Sequence, residues 1–427
     1  MKKPLSIYII ISTMMILSIL SSCGTKRSQE SSCCTKKEVV PNEIKVEAES
    51  YTSSSDSTEI KSIDSKAKYV SVPFEGWIAI DVNIAVAGRY KLEIRVSTDS
   101  EKEVICWIED YYDNKENRTY NITGDILVKP SPSFDIYCKD GSPLNLGVHK
   151  MKLHYDQAVK IDWIQFTLIK EHNTTPLILI QNTDGTEWKE IWSDEFDGST
   201  LDLSKWTYDI GDWGWGNHEL QYYTDNRIKN TRLEDGHLII EARKEDDVWT
   251  SSRITTRGKV SFLYGKIEFR AKLPSYKGNW AAGYTLCDDY IDELSWPYCG
   301  EIDILESAGY EMNDETGNGI AHASAHNSAY CFKLGNQPNA TVEVKNMNHQ
   351  FHTYAVEWTP EGIKNYVDDK LYFTYNDTSS ESSWPFYKPQ NIILNLAMGG
   401  GWCGYDGTDS VSSQKMVIDY VKVFELQ

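Results

Sequence analysis

Apolar and polar residues alternate one by one along much of the chain. Between residues 43 and 170 the runs "KYVSV", "GWIAIDVNI", "GRYKLEIRVS", "HKMKLHY" and "IDWIQFTLI" show it, separated by turn-like breaks. A period of two is the mark of a strand with one face buried, and short strands at this spacing predict a β-sandwich. "EHNTTPLILIQNTDG" then reads as a connector over 171–186. From Glu187 strand-like runs resume in "GHLIIEARK", "YGKIEFRAKL", "FHTYAVEWT", "QNIILNLAM" and "MVIDYVKVFEL", interrupted by Gly-rich loops such as "GDWGWGN". Helical periodicity is nearly absent. The whole chain is therefore expected to be all-β, with one large antiparallel sandwich of two curved sheets over 187–427.

One stretch breaks the alternation. In "GEIDILES", residues 300–307, Glu301 and Asp303 share a strand face, but Glu306 falls out of phase with them. A β-bulge around Ile304–Leu305 restores the phase, because one extra residue swaps the faces that follow. Three carboxyls on one face repel one another and raise at least one pKa. That state suits glycoside hydrolysis with retention, which needs one ionised carboxylate and one protonated acid. An exposed acidic strand or a calcium loop would also gather acids. Calcium loops carry Gly, Asn or several Asp, whereas Ile302, Ile304 and Leu305 indicate a strand. Five extended residues span about 16 Å, yet a retaining pair needs its carboxyls about 5.5 Å apart. The bulge, sheet curvature and inward-leaning side chains must close that gap.

Composition narrows the field. Net charge is −20, which argues against nucleic acid or an anionic membrane surface as partner. Eleven of the fourteen tryptophans lie beyond Glu187, so that half is expected to hold any aromatic-lined groove. Lys2 and Lys3 precede an apolar run from Leu5 to Leu20 and then "LSSC". This resembles a bacterial lipobox, with 1–22 as signal peptide, Cys23 as the lipidated residue and 23–42 as a Ser/Lys/Thr-rich tether. An uncleaved anchor helix is the other reading, though the run is short for a span of about 20 residues. Either way the rest of the chain is expected outside the cytoplasm, in the cell envelope. The nine cysteines contain no CxxC pair, so zinc is not expected.

"WPYCGEIDILES" resembles the signature of glycoside hydrolase family 16 in its laminarinase-like branch. "EIWSDEFDGSTLDLSKWTYDIG", "GWGNHELQYYT", "SSRITTRGKVSFLYGKIEFRAKLP", "FHTYAVEWTPEGIKNYVDD" and "NIILNLAMGGGW" follow the family's order across 187–427. The resemblance implies a concanavalin-like β-jelly-roll with a groove, cleaving internal β-glycosidic bonds with retention. It makes Glu301 the nucleophile, Asp303 its partner and Glu306 the general acid/base. It also assigns Trp215, Asn217, Arg253, Trp280, Trp296 and His326 to the sugar-binding groove, with His322 left as a structural histidine. Glu195, the Gly236 carbonyl and Asp419 match positions that hold a structural calcium in relatives. No cofactor is expected for catalysis. Ala281 stands where the family's W-P-A has Pro, Cys403 where Gly is common, and "DDYIDELS" is an insert; these alter the groove rim.

"IKVEAESY", "GWIAIDVNIAVAGRYKLEIRVS" and "GVHKMKLHY…IDWIQF" resemble carbohydrate-binding module family 6. Glu47, Glu49 and Asp162 fall at its structural calcium, but its ligand positions are poorly matched, with Lys160 in place of Asn. A spacer, or a site elsewhere on this sandwich, stays open. The reading is a monomeric, lipid-anchored endo-β-glucanase acting on β-1,3- or mixed β-1,3/1,4-glucan. An endo-β-galactosidase acting on a galactan or host glycan, and a non-catalytic glycan-binding surface protein, are the alternatives.

Overall fold

The computed structural model describes residues 43–427 apart from 63–67, 112–118, 173–175, 289, 291–294 and 314. The expected signal peptide, Cys23 and the tether lie outside the described residues, as does most of the "DDYIDELS" insert. Among the described residues no helix is long and apolar enough to cross a membrane.

Alternation along the first strands produces two six-stranded sheets. One runs Ser131–Asp140, Gly88–Thr98, Val159–Glu171, Lys68–Val72, Glu59–Ser62, with Glu43–Glu47 added on Val159–Glu171. The other centres on Trp77–Ile84, Gly147–Tyr155 and Val104–Tyr111. Gly88–Thr98 shows how the pattern works: Tyr90, Leu92, Ile94 and Val96 are buried, and Arg89, Lys91, Glu93 and Arg95 between them are not. The inward residues of both sheets form one apolar core.

The second sandwich is larger, with a nine-stranded and a ten-stranded sheet. Its nine-stranded sheet places Glu301–Ala308 between Asn279–Cys287 and Gly319–His326, with Gln390–Met398 and Asn339–Val344 next out on either side. Phe269, Ile302, Ile304, Leu305, Tyr354 and Trp358, fully buried, belong to the core between the sheets. The connector contributes to this sheet as well. Leu177–Ile180 pairs in parallel with Val260–Leu263, although Leu177, Ile178 and Ile180 stay 65%, 46% and 72% exposed.

The two sandwiches meet through "GDWGWGN". Trp213, Trp215 and Tyr223 of the second pack into the apolar core of the first. Lys139 Nζ donates to Asp212 (2.9 Å), Tyr222 Oη to Asp140 (3.3 Å) and Arg89 Nη1 to the Ile210 carbonyl (3.3 Å).

Candidate active site

Gly300 precedes the strand Glu301–Ala308; its φ of +79° favours glycine, and a Cβ there would lie 2.9 Å from Pro385. Asp303 then faces Ser324 and Glu306 faces His322, so two residues on this strand oppose one on its neighbour. The other neighbour shows the same slip, pairing Tyr284 with Asp303 but Gly283 with Leu305. This is the bulge expected at Ile304–Leu305. Both apolar residues enter the core at 0% exposure, and Asp303 and Glu306 turn to the same side. Gly283, opposite Leu305, leaves room for the core: a Cβ there would come within 2.4 Å of the Phe269 ring.

A bulge leaves backbone groups without ladder partners, and Asn365 repairs this from the facing sheet. Its buried Nδ2 donates to the Asp303 carbonyl at 2.8 Å. Nothing in the sequence marks Asn365. Its role arises only from the packing of two sheets, and it fixes the bulge that brings the acids into phase.

Glu301, Asp303 and Glu306 line one cleft of about 790 Å³. Each outer acid receives an indole N–H: Trp296 Nε1 donates to Glu301 Oε2 (2.6 Å), and Trp280 Nε1 donates to Glu306 Oε1 (3.0 Å). Between them Asp303 accepts from Ser324 Oγ, and His326 Nε2 lies 3.3 Å from its Oδ2. Burial, and then the charge of Asp303, pushes Glu301 up to about 8, against the pull of His326, the Trp296 N–H and Arg253. Glu306 is driven well above the ordinary carboxylate range by burial first, then by Asp303, with Glu301 adding to it and His326 opposing. Burial alone would lower His326, but Asp303, Glu301 and Glu306 outweigh it and raise it to about 9. One imidazolium thus serves three carboxyls.

All six expected groove residues line the cleft, and the structure adds the bonds they make there. Trp280 and Trp296 hold the acids through their N–H groups. Trp215 is only 6% exposed and packs on Trp213 (3.9 Å between centroids), with its Nε1 donating to the Gly211 carbonyl. It belongs to the cleft floor and the junction, because the apolar surface of the first sandwich covers it. Arg253, also buried, donates from Nε to Asp209 (3.0 Å) and stacks on Trp215 and Tyr284. Asn217 donates to Glu219 (3.3 Å), which also accepts from Gln221 (2.7 Å). His322 has a structural partner in Glu311 (2.6 Å) yet lines the cleft, edge-on to Trp402 at 4.9 Å.

Trp402, Phe332 and Lys333 were missed by sequence reasoning. Trp402 stands edge-on to Trp280 at 5.1 Å, Phe332 lies 5.2 Å from Trp296, and the Lys333 ammonium sits 5.1 Å from the Trp296 ring centroid. Phe332 is 45% exposed beside the cleft, an observation that only the structure supplies.

The expected calcium ligands are gathered by register but engaged elsewhere. Asp194 pairs with Val421 and Leu238 with Ile418, which sets Glu195, Gly236 and Asp419 near one end of the same strands. Two carboxylates and a carbonyl have the oxygen chemistry of a hard cation site. Their side chains instead meet bases: Glu195 with Lys422 at 2.7 Å, Asp419 with Arg270 and with His237 at 3.5 Å. In the first sandwich Glu47 pairs with Lys45 and Asp162 with Arg95, while Glu49 Oε2 is buried with no hydrogen-bond partner. Among the described residues no three His, Cys, Asp or Glu side chains converge as a metal cage.

Comparison with known proteins gives the family. A family model described as glycosyl hydrolases family 16 matches residues 212–422. A beta-glucanase of Rhodothermus marinus is 44% identical over 249 residues, spanning 56% of this chain and 85% of that protein. The X-ray structure of the laminarinase from Rhodothermus marinus is 42% identical with a TM-score of 0.52, covering 56% of this chain and 98% of that one. A laminarinase from Flavobacterium sp. UMI-01 is 39% identical with a TM-score of 0.51, covering 56% of this chain and 100% of that one.

Proposed function

The chain belongs to glycosyl hydrolases family 16, and from that membership and the acid strand we propose that it cleaves internal linkages of β-1,3- or mixed β-1,3/1,4-glucan with retention. Its activity class is that of an endo-acting O-glycosyl hydrolase. The observation that carries the mechanism is the bulge, which turns Glu301, Asp303 and Glu306 into one cleft with a separate N–H donor on each outer acid.

Glu301 attacks the anomeric carbon as a carboxylate while Glu306 gives its proton to the leaving glycosidic oxygen. Water then attacks the glycosyl ester, Glu306 takes its proton, and Glu301 leaves as carboxylate. Two carboxylates buried in one cleft, each acting on the other's charge, resist simultaneous ionisation. His326, the Trp296 N–H and Arg253 favour the charge on Glu301, while burial and the neighbouring Asp303 and Glu301 charges favour the proton on Glu306. Asp303, fixed by Ser324 and His326, orients the pair from between.

An endo-β-galactosidase is not favoured: the beta-glucanase named above is 44% identical to this chain, a keratan-sulfate endo-1,4-beta-galactosidase of Sphingobacterium multivorum 30%. The test is to digest laminarin, mixed-linkage glucan, agarose and poly-N-acetyllactosamine and size the products. Oligosaccharides from laminarin or mixed-linkage glucan are expected; products from only the last two substrates would sink the substrate assignment.

Three further parts of the proposal concern the rest of the chain. The apolar run and "LSSC" support lipid anchoring at Cys23; Cys23→Ser should release the protein from membranes. The N-terminal sandwich is taken as a sugar-binding or spacing module, tested by affinity electrophoresis of residues 43–427 in soluble glucan. Calcium at Glu195, Gly236 and Asp419 would displace Lys422 and Arg270; a melting temperature indifferent to chelator would remove it.

A further inference from the structure

A second cavity, of about 190 Å³, lies between the sandwiches, and Trp215 lines both it and the acid cleft. Its walls are basic. Arg89, Lys170 and His172 come from the first sandwich and the segment just after it, and Arg257 and Lys259 from the second. The acids among its lining residues are Asp209 and Glu171. Asp209 accepts from Arg253 at 3.0 Å and faces the Arg257 charge as well, which leaves one carboxylate to two arginines, and Glu171 is exposed.

The donors here are unusually idle. Arg257 is 8% exposed, yet its Nε and Nη2 have no hydrogen-bond partner. Arg89 Nε, His172 Nε2 and Trp213 Nε1 are likewise buried without partners. Arg89 spends Nη1 on the Ile210 carbonyl and lies 3.8 Å from Asp140, which leaves its Nε over. Arg257 is otherwise held by its approach to the Tyr290 ring, at 4.9 Å, and by the charge of Asp209, which it shares with Arg253. Burying an arginine with two N–H groups unsatisfied is costly unless something accepts from them. A guanidinium fork matches the two oxygens of a carboxylate, sulfate or phosphate, and an anion also supplies the countercharge that water lacks. The local field agrees: burial, then Arg257 and Lys170, push His172 down to about 4 against the pull of Asp209.

We propose that this cavity binds a compact oxyanion, with the Arg257 fork as its anchor and Arg89, His172 and Lys259 around it. The ligand chemistry is shared by free inorganic anions and by the acidic group of a charged sugar. The site joins the two sandwiches, and through Asp209 and Arg253 it abuts the cleft.

The test uses the soluble chain from residue 24 onward. It is titrated with sodium sulfate, sodium phosphate and sodium chloride at matched ionic strength, and in parallel with glucuronic acid and glucose 6-sulfate. Tryptophan fluorescence reads the site directly, because Trp213 and Trp215 line it. Sulfate stabilises many folded proteins by exclusion from their surface, so the deciding quantity is the difference between wild type and variant. A saturable fluorescence change and a melting rise of about 2–4 °C are expected for wild type. Both should vanish in Arg257→Gln. Lys259→Gln, at a partly exposed position, should weaken binding roughly ten-fold with the fold intact, and it carries the test if Arg257→Gln misfolds. Response to inorganic anions alone identifies a free ion, and response to the sugar acids an acidic glycan end. Non-saturating responses of equal size in wild type and Lys259→Gln would overturn the site.

Discussion

The two sandwiches share an architecture, and acids in both meet bases, as Glu195 meets Lys422 and Asp209 meets Arg253 in the second, but one strand of the second treats its acids in the opposite way. In the first, Asp162 meets Arg95, Glu47 meets Lys45, Asp110 meets His149 and Glu109 meets His154. Glu109 is drawn down to about 2, by His154 first and with help from the Trp107 and Tyr111 donors, against the effect of burial. In the second, three carboxyls on one strand share a single histidine, and Glu301 is pushed up to about 8 by burial and Asp303. Both glutamates stand on antiparallel strands beside aromatic N–H donors. They differ in whether a base has been supplied. A sheet that needs only to be stable neutralises its acids; one that leaves them crowded accepts a penalty that chemistry uses.

Removing the crowded acids should have the largest effect. Glu301→Gln keeps the shape and takes away the attacking charge, so kcat should fall roughly 10⁴-fold or more with an unchanged circular dichroism spectrum. Glu306→Ala should lose about 10²–10⁴-fold. Azide should recover part of that activity on an activated substrate and yield a β-glycosyl azide. An α-azide product would mean inversion and would reverse the assignment of roles. Glu109→Gln, the matched change in the first sandwich, should leave kcat on laminarin as it was.

The indole donors come next. Trp296→Phe deletes one hydrogen bond to a charged group, worth about 1.5–3 kcal/mol, so kcat should drop about 10- to 100-fold. If Trp296 acted only by stacking on sugar, Phe would substitute well and KM would change more than kcat. That outcome would return Trp296 to the role its sequence first indicated.

What could be read beforehand follows from the range of the interactions. The bulge was legible because a phase slip in six residues is local: Glu301, Asp303 and Glu306 can share a face only if one residue is extra. The strands were legible through their period. Asn365 was not, because its bond to the Asp303 carbonyl crosses between sheets 62 residues apart in sequence. Trp215 was legible in part, because its "GWGNHE" context points to a groove, which it lines, while its burial depends on a second sandwich. Leu177–Ile180 gave no strand signal because it is a short apolar run with little burial, paired far along the chain. Trp280 and Trp296 were placed in the right cleft, but their bonds to Glu306 and Glu301 were not legible, since sequence shows an indole but not where its N–H points.

The histidine tests the charge balance itself. His326 lowers both Glu301 and Glu306, and its own pKa, raised to about 9, keeps it cationic through neutral pH. His326→Gln removes that charge, so both carboxyls should hold their protons to higher pH. The acidic limb of the kcat/KM profile reports Glu301 in the free enzyme, and it should move up by about one unit. Activity at pH 5 should fall more than activity at pH 8. A limb that stays in place would show that Asp303 and His326 act on geometry alone.

The smallest expected effect is on stability, and here the comparison predicts opposite signs. Glu301 has a folded pKa above its unfolded value, so the folded state holds a proton that the unfolded state has lost between about 4.5 and 8. Stability therefore declines as pH rises through that window and stays reduced above it; below pH 4 both states are protonated and nothing is lost. Glu301→Gln should then melt higher than wild type at pH 8, by about 2–4 °C, with the gain shrinking toward zero at pH 4. Glu109 is the mirror case. Its folded pKa lies below the unfolded one, so its contribution is present above about 4.5 and is lost as pH falls toward 2. Glu109→Gln should melt lower than wild type at pH 8, and that deficit should close in acid. Melting curves of the two variants at pH 4 and 8 measure both signs together, and a Glu301→Gln protein less stable than wild type at pH 8 would show that Trp296, Arg253 and His326 supply the cleft with all the compensation its acids need.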